Sequence, residues 1–526
     1  MNDLLEKIAQ STDIAMIMRA RGKLFCLARV GLGTTFDLYQ VERWLLVKSH
    51  PIGLRLLNSG EILIRMKEGI EIMNPEDNSI HMLDTDYIAY DTAYPKNKVE
   101  VTATKEFLNI RLENESFSFS APEGFQRLYL SSEGDKLVVI STVTDALQET
   151  KSHIQIWTII SKTMMQTTVS GIVVEAKWSG IYLFLKLNQD DFISVVFVDS
   201  NTLEIKKRTG THVPLELNAE LVGVKPTLGG TIITNNTYDW TVSSTFVDGP
   251  VIGLVTSTPG SSYSITIMEK NQVTDFILPP YHFEVPHHVE AFMLNTQTRT
   301  IPSLRITPLT KSTHNCWAVI FHGGPHDTYQ GEWNPIIGTL LVHGWNILCP
   351  NVKGSTGFGK AYAQLQGNWG IEDLEDALTS TTYALAQTSK VVVIGMSYGG
   401  YLAALVGTQL GTQVLGFVGI NGIYSPSELS KSVPPLVGEW LQREQVTYRT
   451  PDAVKLSNRY TRGLLIHALN DEVAPANQAI ALAEAIALKG GQVESMWIEG
   501  EGHTITNPVN AKEALEKIVE FVGEDH

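Results

Sequence analysis

Two incompatible hydrophobic patterns share this chain, and the switch between them constrains the fold more than any other feature. From about residue 12 to about 275, short apolar or alternating runs follow one another, among them IAMIMRA, KLFCLARV, EILIRM, KLVVIST, IQIWTII, IYLFLKL, ISVVFV, TIITNN and YSITIM. Runs of this length, bounded by turn residues, predict strands with almost no helix between them. A proline-rich break at 271–287, with Pro279, Pro280 and Pro286, ends this pattern. Beyond it, strands and helices alternate: WAVIFHG, NILCPNV, a helix through IEDLEDALTSTTYALAQ, the strand KVVVIG, the helix YLAALVGTQLG and the strand VLGFVGI. That alternation predicts a mostly parallel sheet with helices on both faces. At 526 residues the chain is too long for one core, so the two patterns predict two domains.

The first half is periodic. Turn residues precede apolar strands at Gly22, Gly60, Asn97, Gly134, Gly180 and Gly230, with gaps of 38, 37, 37, 46 and 50 residues. Several strands per unit at such a spacing is the signature of propeller blades. A pair of β-sandwiches is the competing fold. The expectation is an all-β propeller of six to eight blades, seven being the preferred count, over residues 12–275, and an α/β-hydrolase domain over 276–526. Residues 1–11 read as a short amphipathic helix, with Leu4, Leu5 and Ile8 on one face, docking on the second domain.

Composition narrows the class. The net charge of −16 repels phosphate backbones, so nucleic acid is not an expected partner. The three cysteines, Cys26, Cys316 and Cys349, are scattered and form no metal or disulfide framework. Cys316 and Cys349 fall in apolar strands and read as small core residues. The opening MNDLLEKIAQ carries charges where a secretory signal is apolar, and no apolar run reaches the roughly 18 residues of a membrane span. A cytoplasmic protein without a membrane partner is expected, and a homo-oligomer is compatible with the sequence.

The chemistry centres on GMSYGG, residues 395–400. The pattern G-x-S-x-G sits between the buried strand KVVVIG and the helix YLAALVGTQLG, which makes Ser397 the candidate nucleophile on a sharp strand-to-helix turn. A serine hydroxyl needs a base, and the base an orienting carboxylate. Asp471 follows the strand GLLIHA, and His503 follows the strand VESMWI in the loop EGEGHTITNP. Both lie past the carboxyl ends of strands, where functional residues of open α/β sheets gather. The strand WAVIFHGGPH ends in glycines that let an amide approach a substrate oxygen. The Gly324 N–H and the N–H of Tyr398 are therefore the expected oxyanion donors. A glycine-proline turn is poor geometry for placing His322 and His326 on one metal. The triad chemistry calls for no metal or cofactor. His282, His287 and His288, in the connector, read as surface residues.

With these residues in hand, the sequence resembles the prolyl oligopeptidase family of serine peptidases, and within it the acylaminoacyl peptidase branch. The matching words are HGGP at 322–325, GSTGFG at 354–359, WGIEDLEDA at 369–377, GMSYGG at 395–400, Asp471 with Pro475 and Gln478, and GHTI at 502–505. The resemblance implies the same N-terminal propeller and docked helix, Ser397 as nucleophile, Asp471 as acid, His503 as base, and Tyr398 and Gly324 as amide donors. It also implies short peptide substrates, N-acylated ones among them, with the propeller excluding folded proteins. Lys353 stands where arginine usually precedes GSTG. Val473 stands two residues past the acid, where some acylaminoacyl peptidases have an arginine for the substrate's second carbonyl. No Glu-Glu pair, by which dipeptidyl peptidases of the family bind a free amino terminus, occurs in the chain.

The expected apolar S1 pocket draws on segment 421–445, with Tyr424, Leu436, Val437, Trp440 and Leu441, so Tyr424, Val437, Trp440 and Val473 are the substrate-contact candidates. An esterase, a dipeptidyl peptidase or an oligopeptidase of the same family uses the same apparatus. A propeller carrying an inactive hydrolase that serves only for binding is the alternative of a different class, and the complete Ser397, Asp471 and His503 set speaks against it.

Overall fold

In a computed structural model of the chain, the described residues are 2–523 except 32–35, 50, 52, 58–60, 67–69, 84–88, 94–98, 105, 113–114, 132–133, 145–149, 180, 190–191, 208–212, 215–222, 226–230, 234–236, 239–240, 249–250, 270–271, 310–314, 430–432 and 448. The turn positions Gly60, Asn97, Gly180 and Gly230 lie outside the described residues.

The first half forms seven four-stranded antiparallel sheets among the described residues, spanning 13–48, 53–82, 89–120, 125–170, 172–207, 213–238 and 241–277. Each sheet is a meander of four consecutive strands, which makes it a propeller blade. The ring closes by packing. The innermost strand of blade 1, Asp13–Ala20, lies against that of blade 7, Thr241–Asp248. Ile14, Ile17, Cys26 and Ala28 of blade 1 share one apolar cluster with Val255 and Ile265 of blade 7. No blade among the described residues takes strands from both ends of the propeller, so closure rests on this burial together with the Thr12 amide and hydroxyl, which donate to the Tyr281 and Pro280 carbonyls. The alternation seen in the sequence is the alternation of burial, as in Val99–Ala103, where every second residue faces the core.

Residues 287–523 form one mixed sheet of eight strands: β1 (His287–Asn295), β2 (Thr300–Pro308), β3 (Trp317–Phe321), β4 (Asn346–Pro350), β5 (Val391–Met396), β6 (Gly416–Ile420), β7 (Arg462–Ala468) and β8 (Gln492–Ile498). Their order is β1-β2-β4-β3-β5-β6-β7-β8. β1 and β2 are antiparallel to their neighbours and the rest are parallel. This is a doubly wound α/β-hydrolase sheet. The central strands are buried on both faces, which is why they read as unbroken apolar runs.

Helix α1 (Asn2–Ala9) buries Leu5 and Ile8 in a cluster with Ile320, Ile347 and Phe521 of the hydrolase domain. Cys316 and Cys349 are buried in the same cluster, and Cys26 is buried in blade 1. The connector differs from its reading as surface. His282 and His287 are half-buried and line, with the exposed His288, a cavity of about 590 Å³ between blade 7 and β1. The cause is Phe283 and Val285, which are buried between them and pull the connector inward. No helix of the described residues is long and apolar enough to cross a membrane.

Candidate active site

Ser397 stands between β5 and helix α3 (Tyr398–Leu410), with φ 55° and ψ −120°. A positive φ is strained for a residue with a Cβ, and it persists where the surroundings impose it. Two glycines make the turn possible. A Cβ on Gly395 would sit 2.0 Å from the Gly399 carbonyl oxygen, and one on Gly399 would sit 2.1 Å from the Phe321 carbonyl oxygen. Any side chain at either position would force the elbow open.

The three residues read as a triad meet. His503 Nε2 lies 3.0 Å from Ser397 Oγ, and His503 Nδ1 lies 2.7 Å from Asp471 Oδ2. Asp471 is buried, and its Oδ1 accepts from the Val473 and Ala474 amides at 2.8 and 2.9 Å. Two amides and one imidazole N–H thus fix the carboxylate. The tautomer follows from the partners: Nδ1–H faces a carboxylate, leaving Nε2 free to accept the serine proton.

The loop bearing His503 is held on three sides. Asn421, wholly buried, donates from Nδ2 to the His503 carbonyl at 2.8 Å and accepts from the Ala468 amide at 2.8 Å. Glu501 accepts from the Thr506 amide (3.0 Å) and hydroxyl (3.0 Å), the Asn507 amide (2.8 Å) and Asn510 Nδ2 (2.9 Å). Burial alone would raise its carboxyl, but these hydrogen bonds together hold it below the usual glutamate range. Arg29 of blade 1 donates to the Thr506 carbonyl at 3.2 Å. None of these three supports carries a sequence motif.

The candidate oxyanion donors flank the elbow. Gly324 has φ 118°, and Gly323 comes so close to the elbow that an added Cβ would lie 3.7 Å from Ser397 Cβ. Neither the Gly324 nor the Tyr398 amide donates to another backbone group among the described residues. His322 is a buried neighbour, with Nε2 2.7 Å from Ser355 Oγ and Nδ1 2.6 Å from the Gly323 carbonyl, and burial pushes its pKa down. His326 turns away from His322, its Nε2 3.0 Å from Glu444. His467, wholly buried beside Asp471, sits with Nε2 2.7 Å from the Ala474 carbonyl, and burial lowers its pKa as well.

The substrate-contact candidates divide. Trp440 is half-buried on helix α4 (Pro435–Arg443), its ring 5.3 Å from that of Trp369. Val437 is half-buried on the same helix. The side chain of Leu436 lies outside the described ones, and Leu441 is buried. Val473 is 39% exposed and sits on the Asp471 carboxylate through its amide. Tyr424 is different, because it has no exposed surface. Its ring occupies space left by Gly419 and Gly422, where a Cβ would come within 2.1 and 2.5 Å of it, so it fills core and offers no wall to a pocket.

The fold defines a class: a domain of α/β-hydrolase fold joined to a propeller of seven blades among the described residues. Residues 336–525 match the model of the prolyl oligopeptidase family. Over 102 residues the chain is 40% identical to acylamino-acid-releasing enzyme 1 of Oryza sativa subsp. japonica, covering 18% of this chain and 13% of that protein. Over 228 residues it is 28% identical to dipeptidyl-peptidase 5 of Schizosaccharomyces pombe, covering 39% and 33%. These alignments span a third or less of the relatives' length. A puromycin-hydrolyzing peptidase of Mycobacterium tuberculosis shares the fold over 99% of this chain and 95% of its own, with a TM-score of 0.75 at 14% identity.

Proposed function

We propose that the protein is a serine peptidase that hydrolyses short peptides through an acyl-enzyme. The observation that carries this reading is the unbroken chain of contacts from Asp471 through His503 to Ser397, at 2.7 and 3.0 Å. His503 Nε2 takes the Ser397 proton as the oxygen attacks the scissile carbonyl. Asp471 holds the imidazole orientation and stabilises the imidazolium. The Tyr398 and Gly324 amides meet the oxyanion, each contributing about 3 kcal/mol. His503 then protonates the leaving amine, and water repeats the sequence on the acyl-enzyme. No step routes through a metal or cofactor.

The propeller stands over this site and selects by size. Short, extended peptides enter, acylated ones among them, and folded proteins do not. Trp440, Val437 and Val473 supply apolar contact for the substrate. Val473 offers no charge to a substrate carbonyl, so a preference for N-acylated over free peptides is not built in at this position. The same apparatus cleaves activated esters, which demand less protonation of the leaving group. The names of the similar proteins include acylamino-acid-releasing and dipeptidyl-peptidase activities, and both lie within this reaction class. The chain operates in the cytoplasm under this reading.

The reading is tested with free, N-acetylated and C-terminally blocked peptides of increasing length, alongside a folded protein. Cleavage of the short members and sparing of the folded protein is the expected result. Efficient cleavage of the folded protein would reject the size filter. No cleavage of any peptide or ester would reject the enzyme.

A further inference from the structure

We propose that two buried carboxylates, Asp373 and Glu444, hold the two oxyanion donors from behind, with the Tyr398 side chain and His326 as the positioning residues that connect them. This rests on the hydrolase reading above and adds to it a layer that the triad does not contain.

The Tyr398 half is built as follows. Tyr398 contributes its amide to the site, while its side chain runs inward and is 1% exposed. Its hydroxyl donates to Asp373 Oδ2. Asp373 is wholly buried at the start of helix α2 (Glu372–Leu385), and the Gly370 and Ile371 amides also donate to it, at 3.1 and 2.9 Å. All three donors are neutral, and burial pushes the carboxyl up to about 6. A phenylalanine at 398 over an apolar residue at 373 would fill this space without desolvating a carboxylate. The hydroxyl–carboxylate pair instead fixes the direction of the ring, and through the ring the first peptide of α3.

The Gly324 half ends two residues further on, at His326. Its Nδ1 lies 3.0 Å from the Gly354 carbonyl and its Nε2 lies 3.0 Å from Glu444 Oε1. The ring thus bridges a backbone carbonyl and a buried carboxylate, one through each nitrogen. Glu444 is 4% exposed, and its other oxygen accepts from Trp369 Nε1 at 3.2 Å. The glycine loop is thereby tied to the 354–359 loop and to the end of α4.

Trp369 joins the halves. Its indole N–H holds Glu444, and its ring stands edge-on to Tyr398 with centroids 4.7 Å apart and planes at 77°. Trp369 and Asp373 belong to one turn of chain, WGIED, so a single segment braces the elbow amide and the glycine-loop amide together. An oxyanion hole works through donors that are already in place, and a displacement of about half an ångström is enough to weaken it.

The test uses Tyr398→Phe, which removes one oxygen, and Glu444→Gln, which keeps an acceptor for Trp369 but removes the charge facing His326. With a short chromogenic peptide, each variant is expected to lower kcat about 10-fold, less than the loss of a whole donor. KM should stay within about twofold, since the ground-state carbonyl uses the hole little. Affinity for a peptide boronic acid, which forms the tetrahedral anion, should fall in step with kcat, while affinity for the product peptide holds. A purely structural role would lower melting temperature without this split. The wild type separates this inference from the reading beneath it. If wild type turns over substrate and is labelled at Ser397 but both variants keep its kcat and boronate affinity, the bracing role is wrong and the hydrolase stands. If wild type does neither, both fall.

Discussion

Arg29 and Thr506 join the propeller to the loop of the candidate base: the Arg29 guanidinium donates to the Thr506 carbonyl at 3.2 Å, three residues beyond His503. Arg29 ends the second strand of blade 1 and is oriented by Asp13, 3.8 Å away. The propeller therefore touches the loop that carries His503, the proposed base. Arg29→Ala should lower kcat/KM for short peptides by about fivefold, the value of one modest charge-assisted hydrogen bond. It should leave the melting temperature nearly unchanged. Steady-state kinetics read the first, and unaltered kinetics would show that the base loop stands without the propeller.

Glu501 organises the same loop from inside. Its folded pKa lies below that of the unfolded chain, so the stability it contributes is present above about pH 4.5 and is lost as pH falls through its depressed folded value. Glu501→Gln should remove this acid dependence from the loop. Hydrogen exchange of the Thr506 and Asn507 amides, followed from about pH 6 down to about pH 3, below the ordinary glutamate pKa, is the measurement. Wild type should lose protection toward the acid end, and the variant should show weaker protection that is flat with pH.

Asp373 has the opposite sign. Its carboxyl is raised by burial to about 6 in the fold, so it favours the folded state below the ordinary aspartate pKa. That advantage is lost as pH rises from about 4 to about 6, and it amounts to about 3 kcal/mol. Thermal unfolding of wild type and Asp373→Asn across this window isolates the term, because other carboxylates titrate equally in both. The gap in stability between them should shift toward wild type as pH falls. A gap constant with pH would show that Asp373 titrates normally.

These relationships mark what the sequence can and cannot carry. The elbow was legible because its requirement is local: Gly395 and Gly399 have no room for a Cβ, and the pattern of glycines around Ser397 reports that directly. Asp471 and His503 were legible because strand ends in a parallel sheet lie together. The strands were legible from short alternating or apolar runs, and the propeller from their grouping at a spacing of about 40 residues. Asn421, Asp373 and Glu444 were not, because each acts on a partner at a distance in sequence that no periodicity predicts, such as His326 with Glu444, and Glu501 was not, because the irregular loop it folds has no period. Tyr424 looked like pocket wall because aromatic residues line both pockets and cores. Only the buried glycines around it decide the matter.

Asn421 offers a sharper check on the base. It adopts φ 44° and grips the His503 carbonyl through Nδ2. Asn421→Ala removes this bond and the acceptor for the Ala468 amide, leaving a buried donor unpaired at a cost of about 2 kcal/mol. The melting temperature should fall by a few degrees, and kcat should fall at least 10-fold as His503 loses its hold. Loss of stability with full kcat would separate the fold from the loop.

The central claim is that Ser397 attacks a carbonyl with His503 as its base. A fluorophosphonate probe, followed by peptide mapping, tests it most directly. The account predicts one modified residue, Ser397, with labelling abolished in Ser397→Ala and greatly slowed in His503→Ala, and with peptide hydrolysis lost in both. Labelling of a different residue, or hydrolysis that survives in Ser397→Ala, would contradict it.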